Sequence, residues 1–300
     1  MKNIKTLSYN FTKGSDPILD KDIKIFIKKL LTKKEIINFE NCSNQQFINQ
    51  YKNWLLGSSF NKIKGLNQFK FGHYSYGSTT AISEFIKRNS NKRLRVSKDD
   101  FLLSKILSKC YRINLKWLED ESIKKNDVLV ISHPFTGNGD VYPLFEEILN
   151  QCDKKNVPVL IDGAYFGISK NIDYPLDRDC IKEFTSSHSK NFGVQNLRIG
   201  IRLSKDYIDD TLNVPIQMAD CFNKLGALIG IELMKKFSAD YIVKKYTKLY
   251  NQLCTKFNLI PTNTITFGLG NKLDKKNKSK FQRGSYVRVC VSKKLTETIK

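Results

Sequence analysis

Only three histidines occur in the 300 residues, His73, His133 and His188, and they share no metal-ligand spacing. A zinc site is therefore not expected. The seven cysteines, at 42, 110, 152, 180, 221, 254 and 290, never come closer than 28 residues, which excludes a CxxC zinc or redox motif. An odd number of cysteines in a chain too long to need disulfides reads as reduced thiols in a cytoplasmic protein. Long apolar runs are missing too. Residues 128–131 and 157–161 are among the longest, far too short to span a bilayer, so no membrane partner is expected. The N-terminus, MKNIKTLSYNFTKGSD, is basic but holds no continuous apolar stretch, so a secretory leader is not expected. Neither GNGDVY nor GLGNKL completes a GxGxxG, and there is no GK[ST] and no GxSxG elbow. No repeat recurs at a fixed period.

Acidic side chains are scarce, 29 against 51 basic ones, for a net charge of +22. Such an excess invites phosphate-backbone binding, because clustered cations release counterions from nucleic acid. Here the lysines are dispersed over the whole chain. The one dense run, NKLDKKNKSK (271–280), reads as a solvated loop. Nucleic acid is not the expected partner. The apolar fraction of 40% suits a soluble chain able to bury one large core or two modest ones.

What is present is an alternation of short apolar strands with helices. DVLVIS (127–132), VPVLID (157–162), EFTSS and RIGIRLS read as strands. VYPLFEEILNQCDKKN reads as an amphipathic helix with Leu144, Phe145, Ile148 and Leu149 on one face. Nearly continuous apolar strands between helices predict a mostly parallel sheet covered on both sides, hence the α/β class. Residues 16–60 carry helical spacing at Ile23, Phe26, Ile27, Leu30 and Leu31. FGHYSYGSTT reads as a turn region feeding the helix AISEFIKR. From residue 206 the pattern is mostly helical, with SYVRVCVS as a lone strand. The expected division is 61–215 as a large domain, with 1–60 and 216–300 forming a smaller lobe.

Ligands in open α/β sheets gather at the carboxyl ends of strands. Asp162 closes VPVLID there and Tyr165 follows in a turn, although an aspartate at that place also starts turns. Ser78 and Thr79 follow Gly77 at a helix start, where they serve as a plain N-cap or as a phosphate seat. Arg198 and Arg288 are each flanked by apolar residues and each needs an anion, from the protein or from a ligand.

Read jointly, DGAYFG, then SHSKNFGVQNLRIG 25 residues later, then VRVCVS resemble the fold-type-I pyridoxal-phosphate enzymes. More closely they are similar to the class I/II aminotransferases, the group that holds the aspartate and histidinol-phosphate aminotransferases. Ser187, Lys190, Asn191, Gly193, Arg198 and Gly200 fit the family's S-x-x-K, N-x-G and R-x-G pattern. The resemblance is good over 77–203 and recognisable at the last strand. It does not reach the first 60 residues.

The resemblance implies a three-layer α/β/α large domain with a reduced small domain, pyridoxal 5'-phosphate as cofactor, and an aminotransferase working on amino acid and 2-oxo acid substrates as a homodimer. Lys190 would form a Schiff base with the cofactor aldehyde and move the substrate's α-proton. Asp162 would pair with the pyridine nitrogen and Tyr165 with the phenolic oxygen. Ser78, Thr79, Ser187 and Arg198 would hold the phosphate. Phe101 would stack on the ring, unless it is an ordinary core phenylalanine. Arg288 would clamp the substrate carboxylate. The same constellation also serves C–S lyases, decarboxylases and synthases, or a binding protein without turnover. Two departures stand out. The family's Asn-Pro-Thr-Gly segment is SHPFTGNG here, which puts Pro134 or Thr136 at the asparagine position. The second lobe is also trimmed, so specificity does not carry over.

Overall fold

The computed structural model describes residues 11–297. The expectation about a leader therefore lies partly outside the described residues. At the centre stands a seven-stranded sheet in the order Phe71–Tyr76, Ile199–Ser204, Ile181–Ser187, Val159–Asp162, Asp127–Ser132, Arg93–Val96 and Leu115–Trp117. Ile199–Ser204 runs antiparallel to both neighbours, and every other pairing is parallel.

The strand composition follows from burial on two faces. All six positions of Asp127–Ser132 are buried. Its side chains alternate between two apolar clusters, as the period of two requires. Val128 and Val130 join Leu94 and Leu160 under Ile82, Phe85 and Ile86 of the helix Ser78–Arg88. Leu129 and Ile131 join Val159 and Ile161 on the other face, with Phe145, Ile148 and Leu149 of the helix Phe145–Lys155. Each such side chain contributes about 1.5–3 kcal/mol when fully buried. The α/β class and the three layers are as expected.

Four local expectations need correction. FGHYSY is not a turn but an edge strand, Phe71–Tyr76, paired residue for residue with Ile199–Ser204. Glycine, serine and tyrosine hide its alternation, and the chain turns only at Gly77, where φ is 77°. The helix expected from Val141 starts at Phe145, and Leu144 is 51% exposed, outside the apolar face. SYVRVCVS is not alone: Tyr286–Cys290 pairs antiparallel with Phe267–Leu269 and with Gln282–Arg283. NKLDKKNKSK is not all loop, because Lys275–Phe281 is helical and Asp274 caps it, accepting the Asn277 N–H at 3.0 Å.

The N-terminal region is helical, as its spacing predicts. Asn44–Leu56 starts with a capping box in which Ser43 and Gln46 bond each other's backbone N–H at 3.2 and 3.0 Å. Phe47, Ile48, Tyr51, Trp54 and Leu55 form its buried stripe. Ahead of the helices, the chain crosses to the three-stranded sheet. Thr12 bridges Cys290, and the Ser15 and Thr266 hydroxyls lie 2.8 Å apart. No helix among the described residues is long and apolar enough to cross a membrane. All seven cysteines are free, and no group of metal-ligating side chains occurs among the described residues.

Candidate active site

A cavity of about 610 Å³ opens at the carboxyl ends of the parallel strands. Ser78, Thr79, Phe101, Asp162, Tyr165, Ser187, Lys190 and Arg198 all line it. These residues come from five separate stretches of sequence. Strand-end geometry brings them together, because each parallel strand delivers its following loop to the same edge of the sheet.

One wall is built for an anion. The helix Ser78–Arg88 begins there with no side chain capping its first turn. Its free N–H groups and dipole therefore face the cavity. Arg198 reaches the same place. Its Nη2 donates to Tyr76 O and Thr79 Oγ1, both at 2.8 Å, and Nη1 to Gln195 O at 3.0 Å. Gly77 makes this possible, since a Cβ there would run into the Arg198 guanidinium. Ser187 contributes a further hydroxyl, 3.3 Å from that of Ser189.

Asp162 ends its strand and accepts the Ala164 N–H at 3.1 Å. Burial, with the charge of Asp100 added, pushes its carboxyl up to about 7. The Ala164 N–H, Ser78 and Lys190 pull the other way. Asp100 is a residue that the sequence reading missed. It is partly buried in the same wall and accepts from Ser132 N at 2.9 Å, Ser132 Oγ at 2.5 Å and Phe101 N at 2.7 Å. Burial raises its pKa as well. A buried carboxyl held from ionising suits a site that receives a cation. Tyr165 is buried, and burial raises its pKa, so it stays a donor at neutral pH.

Lys190 Nζ donates to Ser15 O. The N-terminal stretch Lys13, Gly14 and Ser15 thus forms part of the cavity wall, which no local pattern had suggested. Phe101 is 41% exposed at the cavity rather than packed in the core. At the Asn-Pro-Thr-Gly departure, Ser132, Pro134 and Thr136 face the cavity. His133 turns away, stacking on Phe145 with ring centroids 4.2 Å apart.

Arg288 differs from the other candidates. It does not line the cavity and is fully buried. Nη1 donates to Thr136 O and Nη2 to Gly14 O at 2.9 Å, the guanidinium lies 3.9 Å from the Phe267 ring centroid, and Nε has no partner among the described residues. Arg283 lines the cavity instead, and the sequence reading had passed over it. Its flanking residues carry no apolar frame that would have singled it out.

The family model described as aminotransferase class I and II matches residues 106–265, just over half of the chain. No curated protein sequence matches. Among solved structures, L-threonine-O-3-phosphate decarboxylase from Porphyromonas gingivalis is similar at 15% identity, TM-score 0.65, over 96% of this chain and 98% of that one. Histidinol-phosphate aminotransferase from Clostridium acetobutylicum is similar at 15% identity and TM-score 0.65, over 95% and 96%. A PLP-bound C-S lyase from Staphylococcus hominis is similar at 14% identity and TM-score 0.61, over 95% and 85%.

Proposed function

We infer from one premise, that the chain belongs to the class I and II aminotransferase family of fold-type-I pyridoxal-phosphate enzymes, that it is an aminotransferase acting on an amino acid. The observation that carries this reading is the meeting of Lys190, Asp162, Tyr165 and the Ser78–Thr79–Arg198 wall in one cavity. The residues suit the cofactor. The uncapped helix start and Arg198 match a phosphate, and the buried Asp162 carboxyl matches a protonated ring nitrogen. When bound, pyridoxal phosphate supplies an aldehyde that attaches to amines and a ring that takes up the electron pair released at the substrate's α-carbon.

We assign the protein's own roles as follows. Ser78, Thr79, Ser187 and Arg198 hold the phosphate. Asp162, ionised by the arriving positive charge, keeps the ring nitrogen's proton, and Tyr165 donates to the phenolic oxygen. Phe101 covers one ring face. Lys190 would hold the cofactor's aldehyde group and, once free, its Nζ would accept the α-proton. Arg288 would orient the substrate carboxylate only by turning from the Thr136 or Gly14 carbonyl, since it is fully buried behind the cavity wall. We place the cofactor in the 61–215 domain and the closing surfaces in 1–60 and 216–300. A homodimer in the cytoplasm completes the reading. Exposed Phe101 and Leu102 on the cavity lining support a covering copy, and the free thiols support the location.

A second reading, a lyase, decarboxylase or synthase of the same family, draws on the Ser132–Thr136 wall, where no asparagine stands. The decisive experiment is an absorbance spectrum of the purified protein, before and after borohydride, against Lys190→Ala. The native chain should be yellow, and mass spectrometry should find the reduced vitamin on Lys190. A vitamin elsewhere, or none at saturating supply, overturns the reading. Products then separate the reactions: a keto acid with the amine form of the cofactor means transamination. Ammonia, sulfide or carbon dioxide means the second reading. Cofactor without turnover means a binding protein.

A further inference from the structure

Three donors end on one acid in the cavity wall. Asp100 Oδ1 accepts from Phe101 N at 2.7 Å and from Ser132 Oγ at 2.5 Å, and Oδ2 accepts from Ser132 N at 2.9 Å. The Ser132 oxygen already takes the Thr136 N–H at 2.8 Å. Among the described residues, Asp100 is the acceptor that the Ser132 proton finds. A carboxylate takes all three donors, because it only accepts. A protonated Asp100 would turn one oxygen into a donor and leave the Ser132 proton without its acceptor.

Asp100 also stands where a strand would. Arg93–Val96 pairs with Asp127–Ser132 only as far as Arg95 and Leu129, so the Ser132 N–H has no strand partner on that side. Asp100 supplies the acceptor, and a turn from Asp100 N to Ser97 O at 3.2 Å keeps it there. Asp162, the register neighbour of Ser132, is less well supplied. It accepts the Ala164 N–H at 3.1 Å, with Ser78 beside it. Burial opposes charge on both acids, and the hydrogen bonds decide which ionises first. The other groups that act on the pair are Lys190, Tyr165 and Tyr174 on the Asp162 side and Arg283 on the Asp100 side.

We propose that Asp100 is a positioning residue for the ring: it stays ionised, fixes Phe101, Ser132 and Thr136 in one wall, and leaves the proton on Asp162 until a basic ring nitrogen faces that acid. Asp162 then gives this proton to the nitrogen, its O–H bond breaking as the N–H bond forms. The part played by a ring rests on the proposed cofactor-dependent reading. The order in which the two acids ionise does not.

The test uses the full chain in two ways. In the cofactor-free protein, carbon-13 NMR follows the aspartate carboxyls against pH, with Asp100→Asn and Asp162→Asn identifying the two resonances. Asp100 should ionise at lower pH than Asp162, and Asp100→Asn should lower the Asp162 midpoint by about one unit or more. The reverse order overturns the proposal, and so does an Asp162 midpoint that stays put in Asp100→Asn. If Asp100→Asn does not fold, the order in the wild type decides alone. In the second arm, calorimetry of pyridoxal phosphate binding at pH 6, in two buffers of different ionisation enthalpy, counts the protons taken up. Wild type already holds the proton on Asp162, so Asp100→Asn should take up more. Groups common to both proteins cancel in the difference. Equal uptake makes Asp100 a structural tie only and overturns the proposal. A chain that takes up no cofactor defeats the functional reading alone, and the carboxyl titration then still decides for or against Asp100.

Discussion

Asp162 faces Ser132 across two parallel strands as its register partner, and through that serine it is joined to a second, partly buried carboxyl, Asp100. The relationship is electrostatic as well as geometric, because the Asp100 charge opposes ionisation of Asp162. A site with two such acids and no bound cation resists filling with negative charge. A ring that brings a positive nitrogen relieves it.

This pairing has a consequence for the cofactor-free protein. The unfolded chain loses the Asp162 proton near 3.8, whereas the folded chain keeps it to about 7. Stability from this group is therefore full below 3.8 and is lost as pH rises through about 7. Denaturation at pH 5 and pH 7.5 should show Asp162→Asn gaining on wild type at the higher pH. Burial moves His73 and His133 down to about 4 and His188 to about 3, so they act in the opposite sense. They are common to both proteins and cancel in the difference. Parallel pH profiles would refute the assignment.

Tyr165→Phe removes a hydroxyl and leaves the phosphate wall intact. The loaded variant should keep its cofactor but change the pH dependence of its visible spectrum. Its kcat should fall by about ten- to a thousand-fold, the range for losing one aligned donor. An unchanged spectrum at all pH values would remove Tyr165 from the ring.

Gly77 has φ 77° and ψ 175°, a region nearly reserved for glycine. Gly77→Ala should cost about 1–3 kcal/mol in backbone strain alone. The added methyl also pushes the Arg198 guanidinium away. Cofactor retention during dialysis should drop along with the melting temperature. A variant that melts lower but retains cofactor normally would separate Arg198 from the phosphate.

Asp210 accepts from Arg202, which is fully buried, and from Arg88 Nε at 3.1 Å. Asp210→Ala leaves the Arg202 charge without that partner and should cost about 3–5 kcal/mol. Urea denaturation measures it. A loss below about 1 kcal/mol would mean that Glu183 and His73 compensate.

How much of this was legible beforehand depends on the range of each signal. The strands at 127–132 and 159–162 were readable because burial on both faces leaves an apolar run. The edge strand Phe71–Tyr76 was not, because the buried His73, Tyr74 and Ser75 give it no apolar run to read. Lys190, Asp162 and Arg198 were singled out by the family resemblance, and all three line the cavity. Asp100 and Arg283 carry no such local mark. They matter only through Ser132 and Thr136, on strands and loops distant in sequence.

By itself, then, the sequence determined the α/β class through its periodicity, and its short motifs carried the resemblance that implied the cofactor and singled out Lys190. Tertiary structure alone decided that Ser15 meets Lys190 across 175 residues and that Gly14 caps Arg288 across 274. It also decided that Arg283 and Arg288 share the Thr136 carbonyl oxygen. Those meetings are set by how the sheet edge, the N-terminal crossing and the last hairpin pack together. Long-range packing minimises the energy of the whole chain and leaves no imprint on any single stretch of it.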